Sequence, residues 1–221
     1  GAKLTIFNDN KDNSKKAKTI GYDGNNPNSN DTNPNFIVNG GTLTIGSTSP
    51  TVEGSIDLKG GPASLSSSKT KHAAIVLSKN GGTVNLYSPG NGSYVKVEET
   101  TIGIATAFDD TYEKTGTAMD IFINMVNSSI YAQGDMDDYA TGIRLDGTKS
   151  TSENYSGTIN IDIKGKGIDD HSIQASYDDT KIATTSIENS CIYIRNYAGT
   201  INLSFDENAS LYSKNGYSEQ R

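Results

Sequence analysis

One short pattern returns along the chain at intervals near forty residues, and it constrains the fold more than any other feature. It reads Gly41-Thr42-Leu43-Thr44-Ile45, Gly82-Thr83-Val84-Asn85-Leu86, Gly157-Thr158-Ile159-Asn160-Ile161 and Gly199-Thr200-Ile201-Asn202-Leu203. A weaker copy, Thr117-Ala118-Met119-Asp120-Ile121, stands in the middle. Aligned on Leu43, Val84, Met119, Ile159 and Ile201, successive copies lie 41, 35, 40 and 42 residues apart. Self-similarity at such a period is the mark of stacked supersecondary units.

Each copy alternates. Ile159, Ile161 and Ile163 fall on one face, and Asn160, Asp162 and Lys164 on the other. A period of two is that of a strand with one buried side. The inward set is then Leu43 and Ile45, Val84 and Leu86, Met119 and Ile121, Ile159 and Ile161, and Ile201 and Leu203. The outward slot predicts a ladder of Thr44, Asn85, Asp120, Asn160 and Asn202, each ~5 Å from the next. Two more strands flank each copy. Those upstream are Ala74–Leu77, Thr101–Ile104, Thr141–Leu145 and Cys191–Ile194. Those downstream are Ser55–Leu58, Tyr94–Val97, Ser129–Ala132, Ser172–Ala175 and Ser210–Ser213.

Three short strands per repeat, stacked repeat on repeat, make a parallel β-solenoid of about five coils, spanning residues 36–221. Such a coil buries only a narrow apolar tube. That suits a chain with 33% hydrophobic residues, in which Gly, Asn, Ser and Thr supply 93 of 221 positions. Ile outnumbers Leu 22 to 9, a bias toward strands. A β-sandwich is the rival, but it predicts hairpins with tight two-residue turns. Residues 1–35 are expected to be a strand followed by a long Asn-rich surface loop. Further excursions fall at 62–72, 106–116, 146–156 and 176–189, and loops on a regular scaffold commonly carry binding function.

Charge and cysteine usage exclude several classes. The net charge is −7, so no basic stripe for nucleic acid is present beyond Lys15-Lys16-Ala17-Lys18. No apolar run is long enough to span a membrane as a helix. The single cysteine, Cys191, rules out an internal disulfide and is read as a buried structural thiol. The chain opens on Gly1 and closes on Ser218-Glu219-Gln220-Arg221 without a closing element, and it is expected to be a piece of a longer protein.

With its Gly-Thr-Ile-Asn strand starts, its Gly/Asn/Ser/Thr content, its acidic balance and its single Cys, the chain resembles the passenger domains of Gram-negative type V autotransporter adhesins. The resemblance covers most of residues 36–221. It implies a right-handed parallel β-helix displayed outside the bacterial cell. It also implies attachment to host or bacterial surface proteins or glycans, or to further copies of itself. Low Cys usage would fit export of an extended chain through a pore.

The chemistry-bearing residues are weighed against plainer roles. Asp135, Asp137 and Asp138 follow Gly134 and offer oxygen ligands for Ca²⁺, the one cofactor the chain suggests; solvated turn carboxylates are the plainer reading. Asp169-Asp170-His171 resembles part of an acid–base set for a pectin-degrading β-helix enzyme. The chain has no Gly-His-Gly to complete it, and arginine occurs only at 144, 195 and 221. Enzymatic activity is therefore not expected. Tyr87, Phe122, Tyr131, Tyr193 and Tyr212 are candidate binding residues on outward faces, because an aromatic ring offers a flat apolar surface with, in Tyr, a polar tip. The plainer reading has them stacked on each other or turned inward. The leading expectation is a non-enzymatic adhesin segment. A carbohydrate-active or phage-type glycan-binding β-helix and a passive spacer are the alternatives.

Overall fold

The computed structural model describes residues 1–9, 17–21, 34–51, 54–61, 73–78, 80–89, 92–106, 119–134, 140–146, 157–177, 189–195 and 197–214. The chain winds through three sheets in strict rotation. The first coil holds β1 (Lys3–Ile6), β2 (Lys18–Gly21) and β3 (Phe36–Val38), and the second β4 (Gly41–Gly46), β5 (Ile56–Gly61) and β6 (Ala73–Leu77). The third holds β7 (Gly82–Tyr87), β8 (Val95–Thr100) and β9 (Ile102–Thr106), and the fourth β10 (Ile121–Val126), β11 (Ser129–Gly134) and β12 (Thr141–Asp146). The fifth holds β13 (Thr158–Lys164), β14 (Ile173–Tyr177) and β15 (Ser190–Arg195). A sixth begins with β16 (Thr200–Phe205) and β17 (Leu211–Ser213).

The first sheet runs β1-β4-β7-β10-β13-β16, the second β2-β5-β8-β11-β14-β17, and the third β3-β6-β9-β12-β15. Pairings between neighbouring coils are parallel, so the expected solenoid with three strands per coil is what forms. No antiparallel hairpin of the sandwich kind occurs among the paired strands. β1 and β2 pair with β4 and β5, which places residues 3–6 and 18–21 in the solenoid. The stretch read as an Asn-rich loop therefore contains a rung, and Ile20 stands opposite Leu58 in the core column.

The core is a set of apolar columns parallel to the solenoid axis. In the first sheet Leu43, Val84, Ile123, Ile161 and Leu203 form one column, and Ile45, Leu86, Met125, Ile163 and Phe205 another. Of the ten predicted inward residues, the eight from Leu43 to Ile161 are buried, while Ile201 and Leu203 are 42% and 47% exposed. Those two sit on β16, the last rung of the first sheet.

The register differs from the sequence alignment. Val84 stands opposite Ile123 rather than Met119, and Ile159 opposite Ile121 rather than Met119. Both displacements are even, four residues and two. An even slip keeps each side chain on its own face, so alternation alone cannot detect it. The Gly-Thr pair marks where a strand begins and not where it pairs. At Gly81 and Gly82 (φ 62° and 136°) the chain bends so tightly that Cβ atoms would stand 2.8 Å from Met119 and 2.7 Å from Val38. That bend makes room for Met119, which is buried one rung above.

Two corners are closed by serines whose bonds are satisfied internally. Ser128 is buried and its hydroxyl donates to the Leu86 carbonyl at 2.9 Å. The Ser172 hydroxyl donates to Gly165 O at 2.8 Å and accepts from Ser210 N at 3.1 Å. A buried polar group without such a partner would cost about 1–3 kcal/mol.

Candidate binding surfaces

With the interior filled by apolar side chains, the polar chemistry of the described strands lies on the three outer faces. On the first sheet the corrected register produces two ladders in place of the predicted one. Thr44, Asn85, Asn124, Asp162 and Ser204 form the first, and Thr42, Thr83, Phe122, Asn160 and Asn202 the second. Amides link the rungs: Asn85 Nδ2 donates to Thr44 Oγ1 at 2.9 Å and Asn124 Nδ2 to Asn85 Oδ1 at 2.8 Å. Asn202 Nδ2 donates to Asn160 Oδ1 at 2.8 Å. Asp120 belongs to neither ladder, and its carboxylate accepts from Thr158 N at 2.8 Å, where β13 begins.

The five aromatic candidates fall on three faces. Tyr87 and Phe122 share the first sheet, but Tyr87 pairs with Val126 and Phe122 with Thr83. Four residues, ~13 Å of strand, separate their columns. Burial raises the Tyr87 phenol pKa, and the ring is only part-exposed.

Tyr131 and Tyr212 do come together, on the second sheet, as the outer rungs of a Tyr131, Gln174, Tyr212 column. The Lys96 ammonium lies 4.6 Å from the Tyr131 ring centre, and the Tyr131 hydroxyl donates to Ile168 O at 2.5 Å. His171 stacks on Tyr212 with centroids 5.1 Å apart and planes 15° from parallel, while its Nδ1 meets Ser210 Oγ at 3.0 Å. His171 thus serves as a wall for Tyr212. Its neighbour Asp170 pairs with Lys166 Nζ at 3.1 Å, and the side chain of Asp169 lies outside the described residues. Further along the same face Lys59 and Lys96 meet Asp57, Glu98 and Glu99, with Lys96 to Glu98 at 2.7 Å and Lys59 to Glu99 at 2.5 Å.

Tyr193 stands on the third sheet in a square of outward side chains. Arg144 pairs across the rungs with Tyr193, and Asp146 with Arg195. Each carboxylate oxygen of Asp146 serves one guanidinium, Oδ2 accepting from Arg144 Nε at 3.1 Å and Oδ1 from Arg195 Nε. Both guanidinium groups lie over the Tyr193 ring, at 5.5 and 5.9 Å. Sequence reasoning named Tyr193 and passed over its neighbours. The signal was present as Arg-x-Asp and Tyr-x-Arg, whose i, i+2 spacing puts each pair on one face.

Asp135, Asp137 and Asp138 lie outside the described residues. Among the described residues no group of three or more His, Cys, Asp and Glu side chains is placed to hold a metal ion, and no helix is long and apolar enough to cross a membrane. Cys191 is half-buried rather than buried, its thiol directed at Tyr212 O at 3.1 Å, and burial pushes its pKa up to about 11. It is held as a neutral thiol, a poor nucleophile.

Comparison of the chain with protein-family models, curated proteins and solved structures finds no match.

Proposed function

We propose that the chain is a non-enzymatic adhesin segment displayed outside a bacterial cell, akin to a type V passenger domain. It attaches to glycans or proteins of host or bacterial surfaces through the outer faces of the solenoid. The observation that carries this reading is the second-sheet column of Tyr131, Gln174 and Tyr212. Its two rings are separated by two rungs, about 10 Å, with an amide between them. Aromatic planes flanking a hydrogen-bonding amide suit a sugar chain, which presents apolar ring faces and hydroxyl edges. The column is built on strands, so little ordering is required at binding.

The experiment is adhesion of beads coated with this chain to cultured epithelial cells and to bacteria, together with binding to immobilised glycans. Tyr212→Ala and Gln174→Ala should reduce attachment several-fold without changing the thermal melt. Attachment indifferent to both changes would point to the spacer reading. Turnover of polygalacturonate that disappears on Asp170→Asn would replace the adhesin with an enzyme.

A further inference from the structure

We propose that the end of the solenoid formed by β16 and β17 is a docking face for a second copy of this chain, which seats its own β1 and β2 there and continues the coil head to tail. This contact is separate from attachment through the outer faces.

β1 and β16 are the two outermost strands of the first sheet, and β2 and β17 those of the second. A strand at a sheet edge presents a row of N–H and C=O groups on its outer side, a template for another chain. Neighbouring coils pair in parallel, so β1 of a second copy can follow β16 in the same sense as β4 follows β1. The hydrogen-bond phase agrees. In a parallel strand, alternate residues bond to opposite neighbours. Thr200 N donates to Gly157 O, which turns the backbone groups of Ile201 and Leu203 outward, and Thr42 N donates to Ala2 O, which turns those of Lys3 and Thr5 outward. With Lys3 opposite Asn202, Lys3 N meets Ile201 O just as Thr200 N meets Gly157 O one rung below.

The same register joins the apolar columns. Leu203 falls on Leu4 and Phe205 on Ile6, each pair being the two ends of one first-sheet core column. Leu211 falls on Ile20, the two ends of a second-sheet column. Leu4, Leu203, Phe205 and Leu211 are 41–51% exposed, and this packing covers them. Size is complementary too. Ile201, on the edge strand, ends a column that passes from Gly41 and Gly82 to Ile121 and Ile159. At the opposite end of the solenoid a groove of about 290 Å³ is lined by Ala2, Leu4, Phe36, Val38 and Gly41. Ile201 is a knob at one end, and the groove beside Ala2 is the hole at the other.

Lys18 is the charge that this packing must place. It is exposed on β2, two residues before Ile20, and Ala209 stands two residues before Leu211. Lys18 therefore meets the turn of residues 206–209, where Ala209 N donates to Asp206 O at 3.2 Å and where Asp206 and Glu207 are exposed. A lysine on an edge strand ordinarily keeps other chains away. Here it admits a partner that carries carboxylates at that turn, and the opposite end of the same chain does. Two different faces meet, so the contact is heterologous and leaves an end open for a third copy.

The test is sedimentation velocity of the full chain over a wide range of concentration. Wild type should pass from monomer to dimer and then to longer species. A monomer throughout overturns the proposal and leaves the face to a different occupant. Leu4→Arg damages one face and Ile201→Arg the other, so each alone should stay monomeric while an equimolar mixture forms one-to-one dimers and nothing longer. Dimers of Leu4→Arg alone would mean that β16 meets β16, and would overturn head-to-tail docking. So would a mixture of the two folded variants that stays monomeric, with circular dichroism confirming the fold. The charge contact gives a second route that leaves the apolar columns untouched. Lys18→Glu should weaken association about tenfold or more, and adding Glu207→Lys to the same chain should restore it. Association indifferent to Lys18→Glu, or not rescued by Glu207→Lys, overturns the assigned face.

Discussion

Strands β13 and β16 carry nearly the same sequence and meet entirely different environments. Ile159, Ile161 and Ile163 of β13 pair in register with Ile201, Leu203 and Phe205 of β16. The first three are at most 1% exposed; the second three are 41–47% exposed. The opposite end repeats the contrast, with Leu4 at 51% beside Leu43 at 3% in one column. In a sandwich, a strand's apolar face is buried by the facing sheet. In a solenoid much of that burial comes from the rung above and the rung below, so an interior strand and a terminal strand differ in energy though they share a pattern.

The largest expected effect follows from that difference. Ile161→Asp would bury a charge without a partner in an aliphatic column, at a cost of several kcal/mol against a typical total stability of ~5–15 kcal/mol. The chain should be unfolded by circular dichroism at 25 °C. Leu203→Asp, one rung along the same column, should fold with a lowered melting temperature. Equal damage from both would mean that β16 is as enclosed as β13, and the comparison would fail. Truncation measures the same contrast more gently. Ile161→Ala should cost ~2–5 kcal/mol in denaturant titrations, and Leu203→Ala, about half exposed, roughly 1 kcal/mol.

These strands also mark how far the sequence could be read. Alternation and the forty-residue return specified three strands per coil, parallel stacking and the inward set, because burial of every second residue is a local property. Register was not local. Met119 and Ile123 are both apolar and both inward, and only packing against the Gly81-Gly82 bend decides which one faces Val84. β2 was hidden for another reason. Lys18-Thr19-Ile20-Gly21 carries one apolar side chain, too little for a pattern, although Ile20 stands 38 residues before Leu58, close to the repeat length. On the surface, single aromatics were visible, but their partners were not. Arg144 and Tyr193 lie 49 residues apart, and only the stacking of coils makes them neighbours.

The outer ladders offer a smaller test of interior against end. Asn85 has both neighbours, donating to Thr44 and accepting from Asn124. Asn202 has one, its amide donating to Asn160. Net worth per hydrogen bond is ~0.5–1.5 kcal/mol. Asn85→Ala should therefore cost ~1–3 kcal/mol in a urea titration, and Asn202→Ala at most about half as much. The reverse order would show that the ladder gains nothing from continuity. The predicted member Asp120 is a further control. Its carboxylate receives Thr158 N, so Asp120→Ala should weaken the start of β13 and leave the ladders intact.

The smallest effect is one of sign. Asp57, on interior strand β5, has its pKa raised above 3.8, first by burial and then by the Glu98 carboxylate. Asp206, just past β16, has its pKa lowered, first by the Gly165 N–H, which its two oxygens accept at 3.0 Å each, and then by further backbone donors. Stability rises with pH wherever the unfolded chain holds more protons, and falls where the folded chain holds more. For Asp57 the folded chain holds more protons between 3.8 and its raised value, so its ionisation destabilises the fold as pH climbs through that window. Asp57→Asn should consequently melt higher than wild type at pH 7, and the gain should vanish below pH 3.8, where wild-type Asp57 is neutral too. For Asp206 the stabilisation is complete above 3.8 and is lost as pH falls through its lowered value. Asp206→Asn should accordingly melt lower than wild type at pH 7, and the gap should close in acid. Opposite slopes in these two difference curves would establish that coil interiors disfavour a carboxylate's charge while the terminal rung uses one to hold its neighbour's backbone. Parallel slopes would mean that Asp57 is solvated like a surface residue, and the contrast between interior and end would then stop at the apolar columns.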